Sequence, residues 1–176
     1  MNYGITEQDI DHINAKLHKQ KEFLRNFVLE INGKEFSLLT NTPSANINPQ
    51  KYFSECNNRV NALFTHANTL GFVPVFLTIT LPSEFHPSST SYNEADPRQG
   101  AKHLSHLWRE FLDRDIFRRM QKKTGKKMIY FRTYEPHKSG VPHLHAMIFL
   151  PKNYVLPVKR VFEKNFGNVQ KQYKYT

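Results

Sequence analysis

The residues best able to do chemistry lie in the stretch Glu135-Pro136-His137-Lys138-Ser139-Gly140-Val141-Pro142-His143-Leu144-His145. Leu144, Ala146, Ile148 and Leu150 alternate with His143 and His145, which is the pattern of a strand with one apolar and one polar face. Both imidazoles then project from the same face and can give two nitrogen ligands to one metal ion. Glu135 ends the preceding candidate strand. A hairpin turn through Gly140 returns the chain, so that the carboxylate comes close to His143 as a third, anionic oxygen ligand. Two imidazoles and one carboxylate, with coordination positions left open, make a usable divalent-metal site. An isolated His-x-His is weak evidence; the carboxylate, the turn and the apolar backing strengthen it. The remaining histidines fit plainer roles. His103 and His106 sit three apart on a helical surface, His12, His18 and His66 belong to helix surfaces, and His86 lies in a long loop.

Positioning these groups requires a sheet, and the chain reads as one. Thr6-Glu7-Gln8-Asp9 fits a capping box with Asp in the Glu place. Ile10, Ile13 and Leu17, then Leu24, Phe27, Val28 and Ile31, recur at helical spacing, and Asn32-Gly33 ends the pattern as a stop or turn. Residues 34–40 fit a short strand, and residues 41–48 a loop. Asn48-Pro49 opens a second helix, striped by Tyr52, Phe53, Cys56, Val60, Leu63, Phe64 and Ala67 and ended by Gly71. Residues 72–81 read as a strand, with Val75, Leu77, Ile79 and Leu81 on one face and Phe76, Thr78 and Thr80 on the other. Pro82 to Pro97 is a long polar loop. Residues 99–121 read as one amphipathic helix, broken by Thr124-Gly125. Residues 127–135 and 142–150 are strands, 157–166 a helix, and Asn168 to Thr176 a short strand or tail. From residue 72 this order is that of a ferredoxin-like split βαβ unit: an α+β fold whose antiparallel sheet has helices on one face and an open face for a site. The expected division is a helical N-terminal segment over residues 1–70 and a sheet domain carrying the candidate site over 71–176.

Composition bounds the rest. At 176 residues one domain is favoured, with an appended helical segment. Leu, Ile, Val and Phe exceed a quarter of the chain, enough for a core. Cys56 is the only cysteine, which excludes an intramolecular disulfide and a multi-cysteine zinc site. No apolar run approaches a membrane span, and the N-terminus lacks signal-peptide features, so a cytoplasmic protein is expected. The net charge of +10 makes a polyanion the first partner to consider.

His143-Leu144-His145, with the upstream Glu135-x-His137-x-x-Gly140-x-Pro142, resembles the second motif of the HUH endonucleases, the rolling-circle replication initiators. Phe76-Leu77-Thr78-Ile79-Thr80-Leu81-Pro82 resembles their first motif. Together with Pro82-Ser83-Glu84-Phe85-His86-Pro87, the pattern is most similar to the phage replication gene A proteins and related plasmid or prophage initiators. The likeness covers about residues 72–150. It implies that Glu135, His143 and His145 bind Mg²⁺ or Mn²⁺, which polarises the scissile phosphate of single-stranded DNA at a replication origin. A tyrosine then attacks, leaving a 5′-phosphotyrosyl adduct and a free 3′-hydroxyl. Host replication proteins are further possible partners. His137, in the turn, reads as solvated or facing DNA.

The family's Tyr-x-x-Lys type of motif after the histidine strand has no clean match. The eligible positions are Tyr154, Tyr173 and Tyr175; Tyr154 has Pro157 where Lys is expected. Tyr173 and Tyr175 are the candidates within the chain, and the expectation is that the nucleophile lies beyond Thr176. Tyr130 and Tyr134 alternate onto the face opposite Glu135, where packing is the expected fate. Arg118, Arg119, Lys122, Lys123, Lys126 and Lys127 form a basic cluster expected to engage DNA phosphates, with a solvated helix end as the plain alternative. Lys159, Arg160, Lys164, Lys171 and Lys174 add a basic C-terminal stretch. The competing functions are an HUH relaxase or transposase, a non-cleaving nucleic-acid-binding module, and a hydrolase using activated water.

Overall fold

The computed structural model describes residues 6–136, 140–167 and 171–175. The chain forms two compact units, one running up to Ala62 and the other from Leu63 onward.

The first unit opens with α1 (Glu7–Asn26). Its capping box is present: Asp9 N–H donates to Thr6 Oγ1 at 3.2 Å, and Thr6 N–H donates to Asp9 Oδ2 at 2.9 Å. These bonds favour the ionised carboxylate and hold the Asp9 pKa below its ordinary value. The helix stops earlier than its apolar spacing suggests. Phe27, Val28 and Ile31 leave it, and β1 (Val28–Ile31) pairs antiparallel with β2 (Lys34–Ser37). Asn32 and Gly33 both take positive φ, 53° and 73°, as a two-residue type I′ hairpin turn requires. The Asn-Gly pair is thus a hairpin turn, and the residues before it pair with a second strand instead of completing a helix. A short α2 (Leu38–Asn41) follows, capped by Ser37. Then α3 (Pro49–Thr69) begins with Pro at its first position, where the missing N–H costs nothing.

The second unit is built on β3 (Phe72–Thr80), β4 (Ile129–Pro136), β5 (Pro142–Pro151) and β6 (Lys171–Tyr175), in the order β4-β5-β3-β6. All neighbours are antiparallel, so β3 and β4 run parallel with β5 inserted between them. The crossover between β3 and β4 carries α4 (Pro97–Leu112) and α5 (Asp115–Thr124); α6 (Val155–Asn165) joins β5 to β6. Residues 99–121 therefore form two helices instead of one. Arg114 is extended (φ −64°, ψ 141°) and stands at the position just before α5. The break has a packing reason. Phe111 and Phe117 are six residues apart, which a continuous helix would place on different faces, yet both are buried beside Met120 in the same core.

That core lies between the sheet and α4–α6. Leu77, Ile79, Leu144 and Ile148 meet Leu104, Trp108, Phe111, Phe162 and Phe166, each no more than 1 % exposed. On the other face, Phe72 and Phe149 are covered by Leu63, Phe64 and Ala67 from the end of α3. Phe64 and Phe149 meet edge to face at 4.9 Å. Among the described residues no helix is long and apolar enough to cross a membrane.

Candidate functional site

Strand register decides which side chains meet. Thr80 lies opposite His143, Thr78 opposite His145, and across β4 Glu135 lies opposite His143. Cross-strand partners share a face. Glu135, His143, His145, Thr78 and Thr80 therefore project together from the face not covered by α4–α6. The apolar alternates of β3 and β5 fill the core and fix this choice, because a one-residue slip would bury the histidines and expose Leu144 and Ile148.

The contacts are specific. Glu135 Oε2 lies 3.0 Å from His145 Nε2, a diagonal contact across the β4–β5 pair. The Thr78 hydroxyl is 3.1 Å from His145 Nδ1, and the Thr80 hydroxyl is 3.1 Å from His143 Nδ1. The two imidazoles are stacked, with centroids 6.5 Å apart and planes 9° from parallel. Phe76 continues the stack on the far side of His145 at 5.7 Å. Each ring is thus gripped at Nδ1 by a β3 threonine. Nε2 is the atom that His145 turns toward Glu135, whose carboxylate accepts there when Nε2 carries the proton; a hydroxyl accepting from Nδ1–H would instead free the Nε2 lone pair for a cation lying between the two. Thr80 is 7 % exposed, so this support sits on a rigid floor. A hollow of about 440 Å³ opens beside Thr80, lined by Pro82, Ser83, His86, Ser88 and Ser89.

Two imidazoles and a carboxylate are a nitrogen- and oxygen-donor set matched to a first-row divalent cation. The threonine grip is the outer-shell support such ligands need. Among the described residues no three His, Cys, Asp or Glu side chains are gathered as a ready-made metal cage. His137 lies outside the described residues.

The other expected residues fall elsewhere. Tyr173 pairs opposite Leu77 and Tyr175 opposite Val75, which places both on the helix-covered face. The Tyr173 hydroxyl donates to the Val155 carbonyl at 2.7 Å and its ring packs on Phe162. Burial pushes its pKa well above the ordinary tyrosine value. The structure does not bring either tyrosine to Glu135, His143 and His145. Tyr130 and Tyr134 also face the helices, but they stay partly open: Tyr130 meets Trp108 edge on at 5.6 Å, and Tyr134 shares a hydroxyl hydrogen bond with Ser105.

The members of the basic cluster have different surroundings. Arg118 pairs with Asp115. Lys126 donates to the Leu70 carbonyl at 3.1 Å and lies over the Phe72 ring. Arg119 lines a cleft with Arg114 and Lys164, while Lys122, Lys123 and Lys127 are exposed. The support given by Thr78 and Thr80 is what sequence reasoning missed. Its signal was two threonines spaced by two, facing two histidines spaced by two, and reading it required the β3–β5 register.

Comparison with known proteins bears on the chain as a whole. The sequence matches the bacteriophage replication gene A protein (GPA) family over residues 3–173. It is 27 % identical over 168 residues to the replication protein of Haemophilus phage HP1, covering 91 % of this chain and 20 % of that protein. It is 25 % identical over 171 residues to the replication gene A protein of Escherichia phage P2, covering 86 % and 22 %. A probable replication endonuclease from a prophage-like region of Salmonella typhimurium is 26 % identical over 155 residues, covering 84 % and 18 %. The chain thus spans about a fifth of the length of the curated relatives it matches. No solved structure matches it. With the match running through both sheet motifs and nearly the whole sequence, the chain belongs to the bacteriophage replication gene A protein family.

Proposed function

We propose that this chain carries the metal-binding half of an HUH-type nicking site in a phage replication initiator acting on single-stranded origin DNA. The observation that carries the reading is the threonine-gripped histidine pair with Glu135 on the open sheet face. The names of the relatives, replication proteins and probable replication endonucleases, support the same reading. Glu135, His143 and His145 would hold Mg²⁺ or Mn²⁺, and the cation, when bound, stabilises charge on the oxygens of the scissile phosphate.

The chain's own residues do the rest of the positioning. Thr78 and Thr80 hold both imidazoles at Nδ1 and so orient the rings with Nε2 outward, and Glu135 brings the negative charge that makes the donor set selective for a cation. The hollow beside Thr80, with Ser83, Ser88 and Ser89, offers hydroxyl donors to phosphate oxygens. The attacking group in this reading is a tyrosine other than Tyr173 and Tyr175. Its oxygen bonds to phosphorus as the 3′-oxygen leaves, giving a 5′-phosphotyrosyl adduct and a free 3′-hydroxyl, so the bond energy is conserved for rejoining. Tyr173 and Tyr175 do not suit that role, because both project from the opposite face of the sheet.

Calorimetric titration with Mn²⁺ tests the assignment. The chain is expected to bind Mn²⁺ more tightly than Mg²⁺, since imidazole favours the later ion. The His143→Ala/His145→Ala double variant should lose Mn²⁺ binding while keeping its far-ultraviolet circular dichroism. Undiminished affinity in that variant would overturn the site.

A further inference from the structure

One surface of the second unit has not entered the site. On α4, Arg98, Lys102, Ser105 and Arg109 are spaced by four, three and four residues, so they form a single stripe along the helix. They line one open hollow together with Ala101. The three cations are exposed, and among the described residues none of them takes part in an ion pair. This separates them from Arg118 and Lys159, which are paired with Asp115 and Glu163.

The neighbouring wall of this surface is β4, an edge strand of the sheet. Tyr130, Arg132 and Tyr134 point to the α4 side, since they pair with Ile148, Ala146 and Leu144. The Ser105–Tyr134 hydroxyl contact and the Trp108–Tyr130 ring contact tie stripe and strand together. Tyr130 and Tyr134 are 41 % and 36 % exposed, so ring faces remain open. The Arg132 guanidinium lies 5.7 Å from the Tyr134 ring, on which it packs with its Nη1 buried. Unpaired cations beside open aromatic rings match the chemistry of a single nucleic-acid strand: phosphates for the cations and unstacked bases for the rings. The stripe runs about 16 Å, enough to meet several consecutive phosphates.

We propose that the groove between α4 and the β4 edge is the track of single-stranded DNA as it leaves the histidine face. Tyr134 and Glu135 are consecutive, and their side chains leave β4 on opposite faces. A strand seated at Glu135 therefore reaches the groove by crossing the thickness of one edge strand. That this strand is the one to be nicked rests on the proposed function; its binding to the groove does not.

The test is fluorescence anisotropy of labelled oligodeoxythymidylate of about 16 nucleotides, measured in EDTA across a salt series. The Arg98→Gln/Lys102→Gln/Arg109→Gln variant should bind at least about tenfold more weakly, and its log–log salt slope should be shallower by about 2 for three lost phosphate contacts. Tyr134→Ala should weaken binding, and Tyr134→Phe, which keeps the ring, should restore it. The Arg119→Gln/Lys122→Gln/Lys123→Gln variant removes the same charge elsewhere and should change affinity less than about threefold. Each α4 substitution is also measured singly, which keeps the test open if the triple variant folds poorly. Wild-type affinity in the α4 variants, an equal loss in the α5 variant, or duplex binding as tight as single-strand binding would each overturn the groove. Because oligonucleotide binding is read in EDTA and the cation site by Mn²⁺ titration, loss of one signal with the other retained separates the two readings.

Discussion

The two faces of the four-stranded sheet are made from the same strands and differ in every alternate residue. On the α4–α6 side, β3 and β5 contribute Val75, Leu77, Ile79, Leu144, Ala146, Ile148 and Leu150, all 1 % exposed or less. On the other side the same strands contribute Thr78, Thr80, His143 and His145, joined in hydrogen-bonded pairs. The first face is held by burial, which is non-directional and tolerates exchange of similar volumes. The second is held by a few directional contacts between named atoms. The apolar face thus sets stability and register, and the polar face uses that register to aim side chains.

Substitutions on the two faces should separate these roles. The largest stability loss is expected on the covered face: Leu144→Ala or Ile148→Ala should cost about 2–5 kcal/mol in urea unfolding. Their neighbours His143→Ala and His145→Ala should each cost about 1 kcal/mol or less, the value of a partly exposed hydrogen bond. Equal losses on both faces would mean that the histidines are structural. A sharper division comes from the threonines. Thr78→Val and Thr80→Val keep shape and strand propensity but remove the hydroxyl at Nδ1. Mn²⁺ affinity should fall by about 10–100-fold, the usual effect of removing a ligand's outer-shell partner, with little change in Tm.

Much of this contrast was legible in the residues alone. Alternation through 142–150 placed both histidines on one face because a strand's period is two, and burial of the alternates leaves no other register. The capping box at Thr6 and the strand over 72–80 were also local, written within a few residues of where they act. The pairing of Thr78 with His145 was not, since it depends on a register between strands 67 residues apart. Helical spacing misled twice, and both times tertiary context decided. Phe27, Val28 and Ile31 fit a helix stripe, but the Asn32-Gly33 turn gave them a strand partner in Lys34–Ser37. Residues 99–121 fit one helix until burial of both Phe111 and Phe117 required a turn between them. The separation of Tyr173 from the histidines was likewise a matter of register, set by its pairing with Leu77.

Gly100 lies on the covered face, at the end of the sheet that carries Thr80 and His143. A Cβ there would lie 2.7 Å from Leu81 Cδ1 and 3.3 Å from Pro142 Cγ, so glycine lets α4 approach the start of β5. Gly100→Ala gains about 1 kcal/mol of helix propensity but forces overpacking worth about 1–3 kcal/mol. The net expectation is a loss of about 1 kcal/mol, read as a small drop in Tm. A rise in Tm would show that Leu81 yields freely and that this end of the sheet is looser than its contacts suggest.

The smallest effect belongs to Tyr173, and it tests which face a tyrosine hydroxyl serves. Its hydroxyl donates to the Val155 carbonyl on the covered side, and burial holds its pKa above the ordinary value near 10. Below that ordinary value both folded and unfolded chains keep the proton, so Tyr173→Phe should cost about 1 kcal/mol, one hydrogen bond. As pH rises above about 10 the unfolded chain releases its proton first, while the folded chain retains it. The folded state then binds more protons than the unfolded state, and stability must fall with pH. The phenylalanine variant lacks this loss, so the two stabilities should converge above about pH 10 and the variant should become the more stable at higher pH. Unfolding both chains in urea at about pH 8 and about pH 11 measures the gap, and the other tyrosines cancel because both chains share them. A gap that stays constant would show a hydroxyl free to ionise in the folded chain, which is the behaviour a nucleophile needs and a buried donor to Val155 should not have.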